Sequence, residues 1–218
     1  HNEREAGEKL LRALREGSNV ALVSDAGTPA ISDPGALLVA AAHREGLRVL
    51  PVPGPNAAIA AYSASGFAAE SFQFVGFLST KKKNSFKELD VPWPVIFYEA
   101  PHRVLETVEA LLARFGPERE LVIAREITKK FEEVARMRLD AAPAWLAAGP
   151  HRQQGEFVLI LGPGEEKRAG LAEGERIFKI LVEKMPSSDA AKLASRITGL
   201  PRNELYRAAL ERPKIGSK

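Results

Sequence analysis

The 218 residues are 45% hydrophobic and 27% charged, enough apolar material for one large or two small domains with real cores. No apolar run nears the roughly 20 residues that cross a bilayer as a helix, and the absence of cysteine excludes disulfides and thiolate metal sites. The net charge of +3 is uneven: residues 167–218 hold 12 Lys and Arg against 6 Asp and Glu, and residues 1–166 hold 19 against 22.

Residues 3–16 carry Leu10, Leu11 and Leu14 at helical spacing and stop at Gly17, which predicts an amphipathic helix. Residues 20–24 form a short apolar run of the kind that makes a buried parallel strand. A loop over 25–33 and a helix over 34–45 follow. Then come a second such strand at 47–52, the turn Pro53-Gly54-Pro55-Asn56, and a small-residue helix ending at Ser65. This order argues for a parallel sheet with helices packed on it.

Around residues 66–72 the pattern changes, and a second α/β unit is expected. It has aromatic alternation over 72–78, strands at 95–98, 121–125, 132–137 and 156–161, and helices at 101–115 and 141–148. After a linker at 163–166 the chain reads as three helices, at 173–184, 187–197 and 202–211, with Ser187 or Ser188 as a cap. This basic tail is either a helix-turn-helix or a plain helical hairpin, and its charge either meets a polyanion or covers a solvated face. Domains are accordingly drawn at 1–68, 69–164 and 165–218.

Four loops carry the candidate chemistry. The segment 24–35 opens a helix after the first predicted strand, where open α/β sheets bind ligands. Gly27 permits close backbone approach, Pro29 and Pro34 stiffen the loop, and Asp33 can cap the helix that begins at Pro34. Asp25 and Asp33 would repel a phosphate and suit a ligand bearing amines or hydroxyls. The segment 51–66 has the same placement, and Asn56, Ala57 and Ala58 offer backbone N–H groups without bulk. Taken singly, the first loop is equally a capped turn and the second a close-packed helix; together they point to one crevice. The segment 97–103 puts Tyr98 and Glu99 at a strand end, with His102 and Arg103 in a first helical turn, where cations oppose the helix dipole. The segment 124–133 sets Arg125, Glu126 and Lys129 after another strand, though each could be an ordinary surface charge. The histidines, His1, His43, His102 and His151, lack metal-ligand spacing, so no metal is expected.

Several segments in this order resemble the tetrapyrrole methylase superfamily. They are Ser24-Asp25-Ala26-Gly27-Thr28-Pro29-Ala30-Ile31-Ser32-Asp33-Pro34-Gly35, Pro53-Gly54-Pro55-Asn56, Phe97-Tyr98-Glu99-Ala100-Pro101-His102-Arg103, Ala124-Arg125-Glu126-Ile127-Thr128-Lys129 and Gly155-Glu156. Within it they resemble the branch that methylates the 2′-hydroxyl of a cytidine in small-subunit ribosomal RNA. The resemblance implies two α/β domains with a ligand cleft between them, a small C-terminal helical extension, S-adenosyl-L-methionine as methyl donor, a homodimer and a cytoplasmic location. Donor contacts are expected at Ser24, Asp25, Gly27, Thr28, Pro29, Ile31, Asp33, Asn56, Ala57, Tyr98, Gly155 and Glu156. Gly27-Thr28-Pro29 stands where the wider superfamily has Gly-Asp-Pro. The chain opens on His1-Asn2-Glu3-Arg4 without Met, and the family's first strand and loop have no counterpart in it, so it reads as truncated at its N-terminus.

A ribose hydroxyl is a poor nucleophile, and a general base within hydrogen-bond reach helps it. Glu126, Lys129 and Glu99 are the candidates for that work. Lys81, Lys82, Lys83, His102, Arg103 and Arg125 are expected to hold RNA phosphates, and Phe77 or Tyr98 to stack on an unpaired cytosine. Two rivals stand beside this reading: a methyltransferase acting on a tetrapyrrole or corrin precursor, and a non-catalytic RNA- or ribosome-binding protein.

Overall fold

A computed structural model describes residues 2–78, 86–149, 151–164 and 171–205. The chain divides into two compact units, His1–Gly164 and Glu165–Lys218.

In the first unit the amphipathic opening forms α1 (Asn2–Arg15), which buries Leu11 and packs on α2 (Ala36–Arg44). A two-pronged ion pair, Arg15 Nε and Nη2 to the Glu45 carboxylate at 2.7 and 2.6 Å, ties the two helix ends together. Helix α3 (Ala57–Ser65) begins at Asn56, whose side chain accepts from the Ile59 N–H at 3.2 Å, and ends at Gly66 in the left-handed region. Its Ala58, Ala61 and Ser65 recur along one face and are buried, and their small size lets the helix lie close on the sheet.

The sheet holds β1 (Gln73–Phe77), β2 (Val95–Glu99), β3 (Glu120–Arg125), β4 (Glu133–Arg138) and β5 (Phe157–Leu161) in the order β1-β2-β5-β3-β4. The sheet is mixed, and the parallel sheet expected from the runs at 20–24 and 47–52 has no counterpart in it. β1 and β2 are parallel, whereas β5 runs antiparallel to both β2 and β3, and β4 antiparallel to β3. Connection lengths give the reason. The seven residues between β3 and β4 suit an antiparallel pair, while α4 (Val104–Phe115) carries the chain from β2 to the like-directed β3. The returning β5 fills the slot between them, and all five of its residues are buried, as a central strand requires.

Alternation along the strands makes two cores. Val95, Phe97, Leu121, Ile123, Leu159 and Leu161 face α4 and α5 (Ala142–Ala147), while Ile96, Val122, Ala124, Val158 and Ile160 face α3.

The apolar runs at 20–24 and 47–52 are not strands among the described residues. Val23 and Val52 are 81% and 84% exposed. A strand exists only through its ladder, and neither run has a paired neighbour, so hydrophobicity alone misread them.

In the second unit α6 (Leu171–Val182) and α7 (Ser187–Thr198) pack through Phe178, Ala190, Ala191 and Ala194, with Leu200 and Leu205 closing the core. The residue at the α7 cap is Pro186, not Ser187 or Ser188, and no side chain caps it. Gly199, left-handed at φ 73°, ends the helix before Pro201. Helix resumes at 202–205; the rest of the expected third helix lies outside the described residues. Among the described residues no helix is long and apolar enough to cross a membrane.

Candidate active site

The loops after both apolar runs converge. Thr28 Oγ1 donates to the Pro55 carbonyl at 2.9 Å, and a Cβ placed on Gly54 would touch that hydroxyl at 3.4 Å. Gly27, at φ 74°, faces the same carbonyl. With the end of β2 and the start of β5 they enclose a cleft of about 380 Å³, within the range that takes a small ligand.

Gly27, Thr28, Ile31, Asp33, Asn56, Ala57, Tyr98 and Glu156 all line it, as does Glu99. Ser24, Asp25, Pro29 and Gly155 are not among its lining residues; the Ser24 hydroxyl donates to the carbonyls of Ala26 and Gly27 at 3.2 and 3.3 Å, shaping the turn. Sequence reasoning missed Ile127, Phe157 and Val158, whose cleft-facing positions follow from β5 lying next to β2, which no local pattern reports. It also misassigned the start of α2. Gly35, at φ 126°, is the cap residue and Asp33 does not cap the helix. That carboxylate is left exposed on the cleft wall, with no hydrogen bond or ion pair among the described residues.

Tyr98 is half-buried. Burial raises its hydroxyl pKa, the Ala58 N–H opposes this, and the nearby Asp33 charge adds to it. The hydroxyl therefore sits at the first turn of α3, within reach of the Asp33 charge.

Glu99, 2% exposed, is fully engaged. It accepts from Thr107 Oγ1 at 2.6 Å and from the Ala100 N–H at 2.8 Å, and it pairs with Arg103 at 3.2 Å. Arg103 also donates to the Leu78 carbonyl at 2.9 Å. Arg125 is 6% exposed, and its guanidinium donates to the carbonyls of Phe131 and Gln154. These three charges, expected at base or RNA, also hold the loops around them. His102 stays exposed. Lys81, Lys82 and Lys83 lie outside the described residues.

Glu126 and Lys129 meet at the rim. Lys129 Nζ lies 2.9 Å from both Glu126 Oε1 and Glu156 Oε2, and Glu126 Oε1 also accepts the Glu156 N–H at 2.9 Å. Lys129, then that N–H, hold the Glu126 carboxyl below its ordinary pKa, and Glu126 and Glu156 raise the Lys129 ammonium. Glu126 and Thr128 are left-handed at φ 51° and 68°, and Ala30 and Ser32 across the cleft are left-handed too, at 66° and 60°. Such backbone costs about 1–3 kcal/mol per residue and collects at functional sites.

The mixed sheet with helices on its faces is a fold shared with solved methyltransferases. The uroporphyrin-III-C-methyltransferase of Thermus thermophilus superposes with a TM-score of 0.53 at 24% identity, over 73% of this chain and 71% of that one. The methyltransferase CobJ does so with 0.52 at 21%, over 74% and 71%. Both are likenesses of fold alone. Residues 1–143 match the family described as Tetrapyrrole (Corrin/Porphyrin) Methylases, and residues 168–213 the RsmI C-terminal HTH domain. The chain belongs to the tetrapyrrole methylase family and is an S-adenosylmethionine-dependent methyltransferase.

Proteins named ribosomal RNA small subunit methyltransferase I are close relatives. The one from Xylella fastidiosa (strain Temecula1) is 46% identical over 94% of this chain and 77% of its own length. Those from Pseudomonas aeruginosa and Escherichia coli O157:H7 are 44% and 42% identical, each over 97% of this chain, and over 78% and 76% of their own.

The cleft fits the donor. Small residues, Gly27, Ala57 and Ala100, form much of its wall, and among the described residues no Lys or Arg lines it. Carboxylates from Asp33 and Glu156 suit a cation and disfavour a nucleotide phosphate.

Proposed function

We propose that this protein 2′-O-methylates a cytidine of small-subunit ribosomal RNA in the cytoplasm, as a homodimer. The observation that carries the reading is the identity of 42–46%, over 94–97% of the chain, to methyltransferases named for that RNA.

S-adenosylmethionine, when bound, supplies an electrophilic methyl group on a sulfonium sulfur. The protein's own task is then alignment. Asn56, Ala57 and Gly27 offer backbone against which the adenosyl part can lie, and Asp33 gives the cation a counter-charge. Glu126 keeps Oε1 on Lys129 and the Glu156 N–H and leaves Oε2 for a ribose hydroxyl. Lys129, held protonated between two carboxylates, keeps that group anionic and placed. His102 and the basic second unit supply phosphate contacts.

Mapping ribose methylation of small-subunit RNA by mass spectrometry, in cells with and without the gene, tests this. One methylcytidine should vanish on deletion and return with the full-length gene. An unchanged map refutes the reading.

A further inference from the structure

The register of β1 against β2 contains an irregularity. Gln73 pairs with Val95 and Phe74 with Ile96, but Phe77 pairs with Tyr98. Three steps on β1 therefore match two on β2, the signature of a bulge, and Gly76 supplies it at φ 67°. The consequence is a change of face. Phe74 packs with the core under α3, and Val75 with the opposite core. Strict alternation would send Phe77 to the side of Val75, into the core beneath α4. The extra residue returns it to the side of Phe74, and both rings rest against Tyr98, with centroids at 5.1 and 5.5 Å and planes at 67° and 62°.

The result is an aromatic row ending at the cleft. Tyr98, in its middle, is engaged on both sides by rings and at its hydroxyl by Ala58. Phe157, also on the wall, is buried. Phe77 is 57% exposed and lines the cleft. A bulge that moves a phenylalanine from a core face to an open rim loses its burial, and a packing role does not account for it.

We infer that Phe77 is a stacking platform for the base of the target nucleotide, holding the unpaired ring so that its ribose reaches the cleft. Single-stranded RNA is read largely by such stacking, and a phenyl face accepts any base. Phe77 is thus a positioning residue for the RNA, and the inference rests on the proposed function.

The test uses full-length protein and small ribosomal subunits from cells lacking the gene. kcat/KM for subunits is measured for wild type and for Phe77→Ala, Phe77→Leu and Phe77→Trp, and donor affinity by calorimetry for each. Losing one base stack should lower kcat/KM roughly tenfold or more for Ala and Leu. Trp should stay within about threefold of wild type, and donor affinity should hold throughout. Leu acting like wild type would reduce Phe77 to an apolar rim, and Ala at full kcat/KM would remove it altogether. An equal loss of donor affinity would make it a wall for the donor's adenine instead. Failure of wild type to methylate the subunits would strike the functional reading first, and the inference with it.

Discussion

Asp33 is a cleft carboxylate with no hydrogen bond or ion pair among the described residues, close enough for its charge to act on the Tyr98 hydroxyl. S-adenosylmethionine carries a positive sulfur and its product S-adenosylhomocysteine does not, while their amino-acid ends are alike. Asp33→Asn should therefore weaken the donor several-fold and leave the product nearly unchanged, since a charge pair at contact distance in water is worth about 1 kcal/mol. Calorimetry with both ligands decides; equal losses would exclude a charge role. A second expectation concerns pH. Glu126, with its pKa lowered in the fold, contributes order above the ordinary carboxylate value of about 4.3 and loses it as pH falls through the lowered one. Lys129, raised, contributes below about 10.4 and loses it as pH rises through the raised value. The rim is thus intact across the neutral range. Lys129→Met should shift the acidic limb of the kcat/KM profile upward, because Glu126 loses its main stabilising contact. A limb that stays in place would show that Glu126 does not govern it. Asp33, Glu126 and Lys129 were legible in sequence as candidates, but their contacts were not. The segments around Glu99, Arg125 and Glu126 offered alike-looking carboxylates and cations, and only the fold shows which are sealed and which stand at the rim.

At the level of elements, helices were the most readable. Leu10, Leu11 and Leu14 announced α1, and Asn56 announced the start of α3, because caps and periodicity are local. Sheet order was not, since β5 joins β2 and β3 from more than thirty residues away. The bulge at Gly76 was hidden for the same reason: a glycine in a strand does not say which partner it slips against. Gly155 is similar. It sits at φ 91°, and an added Cβ would collide with the Glu126 carboxylate. Gly155→Ala should therefore displace Glu126 and open its bridge to Lys129, lowering kcat more than donor affinity. Steady-state kinetics beside calorimetry would show this, and an unchanged kcat would mean that the rim geometry is dispensable.

Across the whole molecule, charge is divided as the chain is. The unit Glu165–Lys218 holds 12 Lys and Arg against 8 Asp and Glu, and the body before it 19 against 20, so the whole positive excess lies in the smaller unit. If RNA affinity resides mainly in that unit, removing residues 165–218 should flatten the dependence of subunit binding on salt by at least about one phosphate's worth, a slope change near 0.7–0.9. Donor binding by the remaining body should persist. An unaltered slope would place the RNA contacts on the body.

Arg136, on the edge strand β4, reaches back to the end of α3, donating to the Gly66 carbonyl at 2.7 Å while its Nε and Nη2 grip Glu120. The helix whose front turn floors the cleft is thus pinned at its rear. Tethered there as well as packed through Ala58 and Ala61, the helix is braced against sliding along the sheet, and the floor it makes keeps its place.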